Sequence, residues 1–339
     1  MFAIFLLSMG CSPSLTFEVT RPAQISVDRS VKKVALVDRV SDDASKKLKT
    51  SFIAALRDVR NPKFLMIDNS IAQKAYTGIS ATVGQSLEKE QTENICKSTG
   101  ATGVISIEKV GSNQNWTYDE RTETETSYET VRQNGKEVER EVTKDVTVYT
   151  ATLMMDGNAN WMFYQCDGGV IDNKRQTLSQ TWSGEGETRQ DAKLDVESQS
   201  PMENTLFAQM GRRYMQRVSP FEASVTRDYY RTGHKGIKEG NKHLTAGEFQ
   251  KARESYFSAV QATKGKKKGK ALYNLAVVLE RMGLLNKSLQ RAKQANELLN
   301  SNRSEEYFNV LSKRKNEADK IHNQLNDDEQ PSFKSRTNQ

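Results

Sequence analysis

Side chains able to carry catalysis are few in this sequence. The three histidines, His234, His243 and His322, all fall in the C-terminal third, and none shares a predicted site with a serine or cysteine nucleophile. A catalytic triad is therefore not expected. The glycine- and lysine-rich run 265–270 has neither the spacing nor the preceding strand of a phosphate-binding loop. We expect no catalytic residue and no cofactor.

Oxygen-bearing side chains offer two further kinds of chemistry. Four of them imitate the spacing of a calcium loop: Asp156, Asn158, Asn160 and Asp167. Trp161 stands where such a loop needs glycine, and the run reads as a strand, so no metal site is expected. A pair of carboxylates can cleave a glycosidic bond, which makes an envelope hydrolase using Asp167 and Glu185 an alternative function. Nothing in the sequence places these two as a pair.

Three cysteines are too few for a disulfide-dense scaffold. Cys96 lies on a predicted helix that leads into a strand, and Cys166 lies at a predicted strand end. A disulfide between them is one interpretation, since an exported compartment permits it. Two separate buried thiols are the alternative, which we favour because cysteine is among the most buried residue types.

The third cysteine follows an apolar run. Residues 2–10, FAIFLLSMG, are too few to span a bilayer but match the core of a signal peptide. With Gly10 before Cys11, the run resembles a bacterial lipoprotein signal. The resemblance implies a signal peptide over 1–10 and a lipid on Cys11. Residues 12–30 show no periodic pattern and include two prolines, so we expect an irregular tether over 11–30. Ser12, which follows the cysteine, is compatible with sorting to the outer membrane. Because an exported chain rarely meets nucleic acid, we expect no nucleic-acid partner.

Charge is concentrated in one part of the 339-residue chain, whose length predicts two domains. Residues 231–300 carry 15 Lys and Arg against 5 Asp and Glu, a net charge of +10, whereas the whole chain carries +7. A basic surface can attract acidic partners or an anionic lipid surface. An electrostatic binder working through the lysine-rich residues 264–270 is therefore a second alternative function.

The C-terminal region contains an internal repeat with a spacing of 36 residues. Gly240, Gly247, Phe249, Ala252, Tyr256 and Ala259 are matched by Ala276, Gly283, Leu285, Ser288, Ala292 and Ala295. Small residues allow two helices to approach closely, and the central glycine ends the first helix. The pattern resembles the tetratricopeptide repeat. It predicts helical repeats over 233–264 and 269–300 within 219–322, followed by a capping helix over 303–321. The polar composition of 323–339 predicts a disordered tail.

The tetratricopeptide resemblance implies a concave groove lined by the first helix of each repeat, which would bind a peptide or protein segment. It assigns to that groove His234, Ile237, Asn241, Leu244, Thr245, Lys270, Tyr273, Asn274, Val277, Glu280 and Arg281. Asn241 and Asn274 fall where some relatives grip a peptide carboxylate, but Ile237 replaces the lysine. The alternative is that the N-terminal domain or the tail fills the groove.

Residues 31–218 read as a separate domain. Apolar segments near 31–40, 63–68 and 101–111 alternate with amphipathic ones, which predicts strand–helix–strand–helix–strand and an α/β sheet. Residues 117–150 are polar on both faces around Asn134 and Gly135, a strong turn signal, so we expect a projecting β-hairpin. The predicted fold is an α+β or α/β N-terminal domain with a mixed sheet and this hairpin, followed by all-α tetratricopeptide-like repeats.

The overall layout resembles uncharacterised bacterial lipoproteins that join an envelope α/β domain to tetratricopeptide repeats. That α/β domain is similar to those of curli-secretion-channel and Tol–Pal-type proteins. The likeness is carried by KKVALVDRV at 32–40, by Trp161 and Trp182, and by RVSPFEASVTRDYYRTG at 217–233. It implies a lipid-anchored protein of the envelope that faces the periplasm. We expect a non-enzymatic interaction or assembly factor whose partners are an envelope protein or peptide segment and, through Cys11, the membrane, with no small-molecule substrate.

Overall fold

A computed structural model describes residues 13–59, 62–77, 86–133, 136–199 and 201–325. The predicted signal peptide, Cys11 and residues 326–339 lie outside these ranges. The chain divides into two compact units. One, which we call the sheet unit, comprises 30–58 and 64–218. The other, the helical unit, comprises the preceding residues, 59–63, and the chain from Ser219 onward.

The described residues form both strands and helices. The strands are β1 (Ser14–Arg21), β2 (Lys33–Asp38), β3 (Leu65–Met66), β4 (Gly103–Gln133), β5 (Lys136–Gln165), β6 (Val170–Gly186) and β7 (Phe221–Asp228). The helices are α1 (Asp43–Arg57), α2 (Asn69–Thr77), α3 (Lys89–Thr99), α4 (Arg189–Ser198), α5 (Met202–Val218), α6 (Lys235–Thr245), α7 (Phe249–Gln261), α8 (Gly265–Arg281), α9 (Leu285–Leu299) and α10 (Asn302–Leu325).

A five-stranded mixed sheet in the order β3-β2-β4-β5-β6 organises the sheet unit. β3, β2 and the start of β4 run parallel, as crossover helices require, and β5 and β6 continue antiparallel. Successive side chains of a strand point to opposite faces. On one face Trp161 stacks on Tyr214 of α5 with 4.2 Å between ring centroids. On the other face Val37 and Val104 pack with Ile95 of α3. The predicted mixed α+β fold is confirmed.

The β4–β5 hairpin extends well past the rest of the sheet. Beyond a β-bulge at Glu108, the two strands pair continuously out to Gln133 and Lys136. β6 pairs with β5 only as far as Tyr149 and Gly186. Residues 122–133 and 136–147 therefore pair with each other alone, over about 40 Å at the usual rise per residue. This is the projecting hairpin that the sequence predicts.

The helical unit contains a β-ribbon that the sequence analysis misses. β1 and β7 pair antiparallel along their full lengths, and the Tyr229 backbone N–H continues the ladder by donating to the Pro13 carbonyl. The prediction of an irregular tether over 11–30 is therefore wrong for residues 14–21. Farther along, the Gln324 side chain of α10 bonds both backbone groups of Ala23. The capping helix is also longer than predicted, and it includes residues 323–325 of the expected tail.

Helices α6 to α10 pack each against the next, and the repeat signature explains two of their turns. Gly247 and Gly283, one repeat apart, have φ of +75° and +76°, a region that glycine enters at little cost. A Cβ on Gly240 would lie 2.4 Å from the Tyr256 ring, so this position has room for glycine only. Ser288 replaces an alanine of the first copy and donates to the Ala276 carbonyl at 2.7 Å.

Candidate protein-binding site

The two asparagines assigned to the groove bind the chain's own backbone. Asn274 Oδ1 accepts from the Tyr230 N–H at 2.8 Å, and Asn274 Nδ2 donates to the Tyr230 carbonyl at 2.9 Å. Asn241 Nδ2 donates to the same carbonyl at 3.0 Å. The Tyr256 hydroxyl donates to Asn241 Oδ1, which fixes that amide. The segment after β7 therefore occupies the place that the tetratricopeptide resemblance reserves for a peptide.

The half-buried Tyr230 ring contacts three side chains. It meets the Tyr273 ring edge-on, with centroids 5.1 Å apart. The Arg303 guanidinium lies 4.4 Å from the Tyr230 centroid, and the Lys270 ammonium lies 5.3 Å from it. Cations over aromatic rings are attracted by the ring quadrupole. Burial raises the pKa of the Tyr273 hydroxyl.

Glu280 anchors the ribbon and α10 to α8. Its side chain is fully buried and accepts two hydrogen bonds at 3.0 Å from the Arg227 guanidinium of β7. Arg314 of α10 donates at 2.6 Å, and the Tyr307 hydroxyl donates at 2.9 Å. Burial, followed by the nearby Glu280 charge, raises the pKa of Tyr307 well above its usual value. One buried carboxylate is thus the shared ion-pair partner of two guanidinium groups.

The predicted open groove is therefore wrong. Ile237, Leu244 and Val277 belong to the core of the helical unit. His234 caps α6 by accepting from the Gly236 N–H, Thr245 bonds the Asn241 carbonyl, and the Arg281 guanidinium stacks on Phe249. Within the helical unit, β7 and its continuation occupy the groove together with α10. Sequence reasoning missed this because β1, the pairing partner of β7, lies about 200 residues away in the chain.

A second groove faces outward between α7, α8 and α9, with a volume of about 320 Å³. Its floor is apolar, formed by Leu275 and Leu279, which are almost fully buried, and by Phe257, which is 47% exposed. The exposed Phe257 ring and the two leucines form one apolar surface in the groove, and exposed apolar surface rimmed by polar side chains is typical of interaction sites. We call this site the outward groove.

Three cations line the outward groove: Arg253, Lys287 and Arg291. None of them forms an ion pair within the described residues; Arg291 donates only to the Gln294 side chain, at 2.9 Å. Glu254 is the one acidic side chain among the lining residues, and Gln250 donates to it. The groove therefore combines an apolar floor with uncompensated positive charge, in the most basic part of the chain.

Cys96 and Cys166 form a disulfide, with Cα atoms 5.9 Å apart. The sequence analysis favoured two separate thiols, and the difference comes from the sheet register. β4 pairs with the end of β5, which brings Cys166 beside Ala101, and Gly100 at the end of α3 leads directly into that strand. Burial alone could not reveal this proximity.

The carboxylates of the hydrolase alternative are not brought together. Asp167 lies in the turn between β5 and β6 and accepts from the Gly169 N–H. Glu185 lies near the far end of β6, where Arg121 binds it through two guanidinium nitrogens. Glu185 pairs with Thr150 of β5, whereas Asp167 follows the other end of that strand, at Gln165. The fifteen residues between these two positions of β5 span roughly 50 Å. Across the described ranges, no group of three or more acidic, histidine or cysteine side chains has the arrangement of a metal site.

A buried ion pair lies at the carboxyl ends of β2 and the parallel part of β4. The Arg39 guanidinium, fully buried, binds the Glu108 carboxylate, and the Ser106 hydroxyl donates to the other oxygen. Burial raises the pKa of Glu108 in spite of these contacts. Such strand ends are common ligand sites in α/β sheets. Here both side chains are buried and bound to each other, so they are closed to a ligand.

Comparison with protein families gives two matches. Residues 64–230 match a model described as Domain of unknown function (DUF8603), and residues 238–316 match one described as Domain of unknown function (DUF6340). No curated protein and no solved structure matched the chain. The first match ends at Tyr230, the residue held by Asn241 and Asn274. Within the described ranges, no helix has the length and apolar character needed to cross a lipid bilayer.

Proposed function

We propose that this chain is a lipid-anchored protein of the bacterial envelope, facing the periplasm from the outer membrane. It acts without catalysis, by binding a segment of another protein. Its helices α6 to α9 are, in this proposal, two tetratricopeptide-like repeats capped by α10. The lipoprotein-like signal and the envelope-domain resemblance support the location. The outward groove supports the mode of action.

The groove's composition points to one kind of occupant. A large apolar side chain would cover Phe257 and the two leucines, removing apolar area from water at roughly 25 cal/mol per Å². Flanking Asp or Glu residues would meet Arg253, Lys287 and Arg291, which have no ion-pair partner within the described residues. Complementary charge of this kind provides specificity and fast association. The partner segment is therefore acidic with an apolar anchor.

A peptide-display selection on the full chain tests this assignment. We expect enriched peptides to combine a Phe, Trp, Leu or Ile with neighbouring Asp or Glu residues, and to bind more weakly as salt rises. The double variant Lys287→Glu with Arg291→Glu should weaken a selected peptide by at least about tenfold, since two attractions become repulsions. The matched control, Lys293→Glu with Lys313→Glu, changes the same charge on α9 and α10 outside the groove.

Three outcomes would contradict the proposal. They are no enriched motif, enrichment of basic or purely apolar peptides, and equal loss of binding in the groove variant and its control. Vesicles of phosphatidylglycerol, run in parallel, distinguish a lipid surface. Binding to them that depends on Lys264–Lys268 and not on the groove would favour the electrostatic binder instead.

The anchor is tested separately. Metabolic labelling with palmitate should mark the wild-type chain, and Cys11→Ala should lose the label. Because stable membrane anchoring depends on the acyl chains, Cys11→Ala should also leave the membrane fraction. A Cys11→Ala chain that still fractionates wholly with membranes would overturn the lipid anchor without bearing on the groove.

A further inference from the structure

A cavity of about 330 Å³ lies in the sheet unit, at the root of the projecting hairpin. β4 and β5 form its floor, and the start of α5 closes its other side. The residues that matter below are Lys47, Gln114, Trp116, Leu153, Glu203 and Asn204. Ligand pockets are typically 300–1,000 Å³, so the space suits a small molecule or one unit of a larger one.

The Trp116 side chain forms one wall of the cavity, and Tyr118 lies next to it outside the lining. Trp116 and Tyr118 lie on the same face of β4, with ring centroids 6.4 Å apart and planes inclined by 15°. Trp116 pairs across the sheet with Leu153, which is buried beneath the cavity. Trp116 is half-buried, and Tyr118 is exposed. The Lys193 ammonium lies over the Trp116 ring, 5.5 Å from its centroid, so a ligand that packs on this face must displace the lysine side chain.

The charged side chains around the cavity are paired with each other, in two ion pairs. Lys47 pairs with Glu203 at 3.4 Å, and the Ser112 hydroxyl donates to the other Glu203 oxygen. Lys193 pairs with Glu197 at 3.5 Å. The carboxamides of Gln114 and Asn204 make no hydrogen bond to any other part of the described chain, and each offers two donors and an acceptor.

From this combination we infer that the cavity binds a neutral sugar ring of a glycan. A pyranose presents a face of C–H groups, which packs on an aromatic plane, and a rim of hydroxyls, which need both donors and acceptors. Trp116 would supply the plane, and Gln114, Asn204 and the Glu203 carboxylate would supply the partners. Because both ion pairs are already compensated, an ionic ligand would gain little from this site. The inference concerns the sheet unit and does not depend on the outward groove.

Saturation-transfer NMR on the full chain tests the site with four probes: the methyl glycosides of glucose, galactose and mannose, and N-acetylglucosamine. At least one should bind saturably in the millimolar range and shift the Trp116 indole N–H signal. Trp116→Ala should weaken that sugar by about tenfold or more, as loss of a central aromatic contact does. Asn204→Ala, an exposed substitution that leaves the fold intact, should also weaken it.

The control is Tyr128→Ala, which removes an aromatic side chain that is 68% exposed farther out on the same hairpin face. It should leave sugar binding unchanged. Absence of saturable binding by all four probes overturns the inference. Binding that survives both Trp116→Ala and Asn204→Ala overturns it too, because the sugar would then lie elsewhere.

Discussion

Glu280 shows how much a single side chain can organise. It receives Arg227 from the ribbon, Arg314 from α10 and the Tyr307 hydroxyl, all at hydrogen-bond distance and away from water. Two cations share one carboxylate, so each depends on that charge for compensation. Asn241 and Asn274 act in the same way by neutral hydrogen bonds to Tyr230. These three residues join the ribbon to the helices.

Replacing Glu280 with Gln should therefore lower the free energy of unfolding by about 3 kcal/mol or more, because two buried guanidinium groups lose their counter-charge. Urea unfolding followed by circular dichroism measures this. The control is Glu239→Gln, which removes a half-exposed partner of Lys242 and His243 and should change stability by less than about 0.5 kcal/mol. Equal small losses in both variants would show that Glu280 does not organise the unit.

Glu108 provides a pH-dependent signature. Burial raises its pKa above the ordinary 4.5, so the folded chain binds this proton more tightly than the unfolded chain does. The contribution of Glu108 to stability is therefore greatest when it is protonated, and it declines as pH rises through the window above 4.5. Carbon-13 NMR of the carboxyl should give a midpoint above 4.5. Glu248, whose pKa is lowered by Lys251 and then His243, should titrate on the opposite side. A Glu108 midpoint at or below 4.5 contradicts the expectation.

At the scale of elements, local sequence patterns predict the β4–β5 hairpin and two helix turns but not the β1–β7 ribbon. The β4–β5 hairpin follows from Asn134-Gly135 and polar flanks, and the turns at Gly247 and Gly283 follow from the repeat. Each of these features is decided by neighbours in the chain. The ribbon of β1 and β7 is decided by a pairing across some 200 residues, and β1 alone, with its polar alternation, resembles a linker. The candidate groove was misplaced for that reason.

The disulfide links two elements, the end of α3 and the end of β5, across 70 residues. Closing a loop of that length lowers the entropy of the unfolded chain by an amount equivalent to about 4 kcal/mol, although measured effects are commonly 2–4 kcal/mol. The double variant Cys96→Ala with Cys166→Ala should lose stability in this range. Thermal unfolding of the wild type with and without a reducing agent measures it. Identical unfolding of the oxidised, reduced and double-variant chains would show that the bond is absent.

For the whole molecule, the division into units predicts which elements lose stability when a core residue is substituted. β1 is the first described element, yet it belongs to the helical unit. Phe17 and Val19 are buried against Val225 of β7, whereas Thr16 and Glu18 alternate with them on the exposed face. Stability of the helices therefore depends on residues that a C-terminal fragment would lack.

Phe17→Ala with Val19→Ala should lower the stability of the helical unit by about 3 kcal/mol or more, as large-to-small core changes do. Hydrogen exchange should show faster exchange in β7 and α8, with β2 and β4 unaffected. Thr16→Ala with Glu18→Ala changes the other face of the same strand and should leave protection nearly unchanged. Faster exchange throughout both units after the first substitution would contradict the division.

The early start of β1 also fixes a distance. If Cys11 carries the lipid, Ser12 and Pro13 alone connect it to the ribbon, which begins at Ser14. Three residues span at most about 10 Å, whereas a 20-residue linker would span roughly 65 Å. The ribbon would then begin within about 10 Å of the bilayer headgroups. That distance is close to the Debye length of about 8 Å at physiological salt, over which the headgroup charges act. Because β1 pairs with β7 along its full length, this short connection would also set the distance of the helical unit from the membrane.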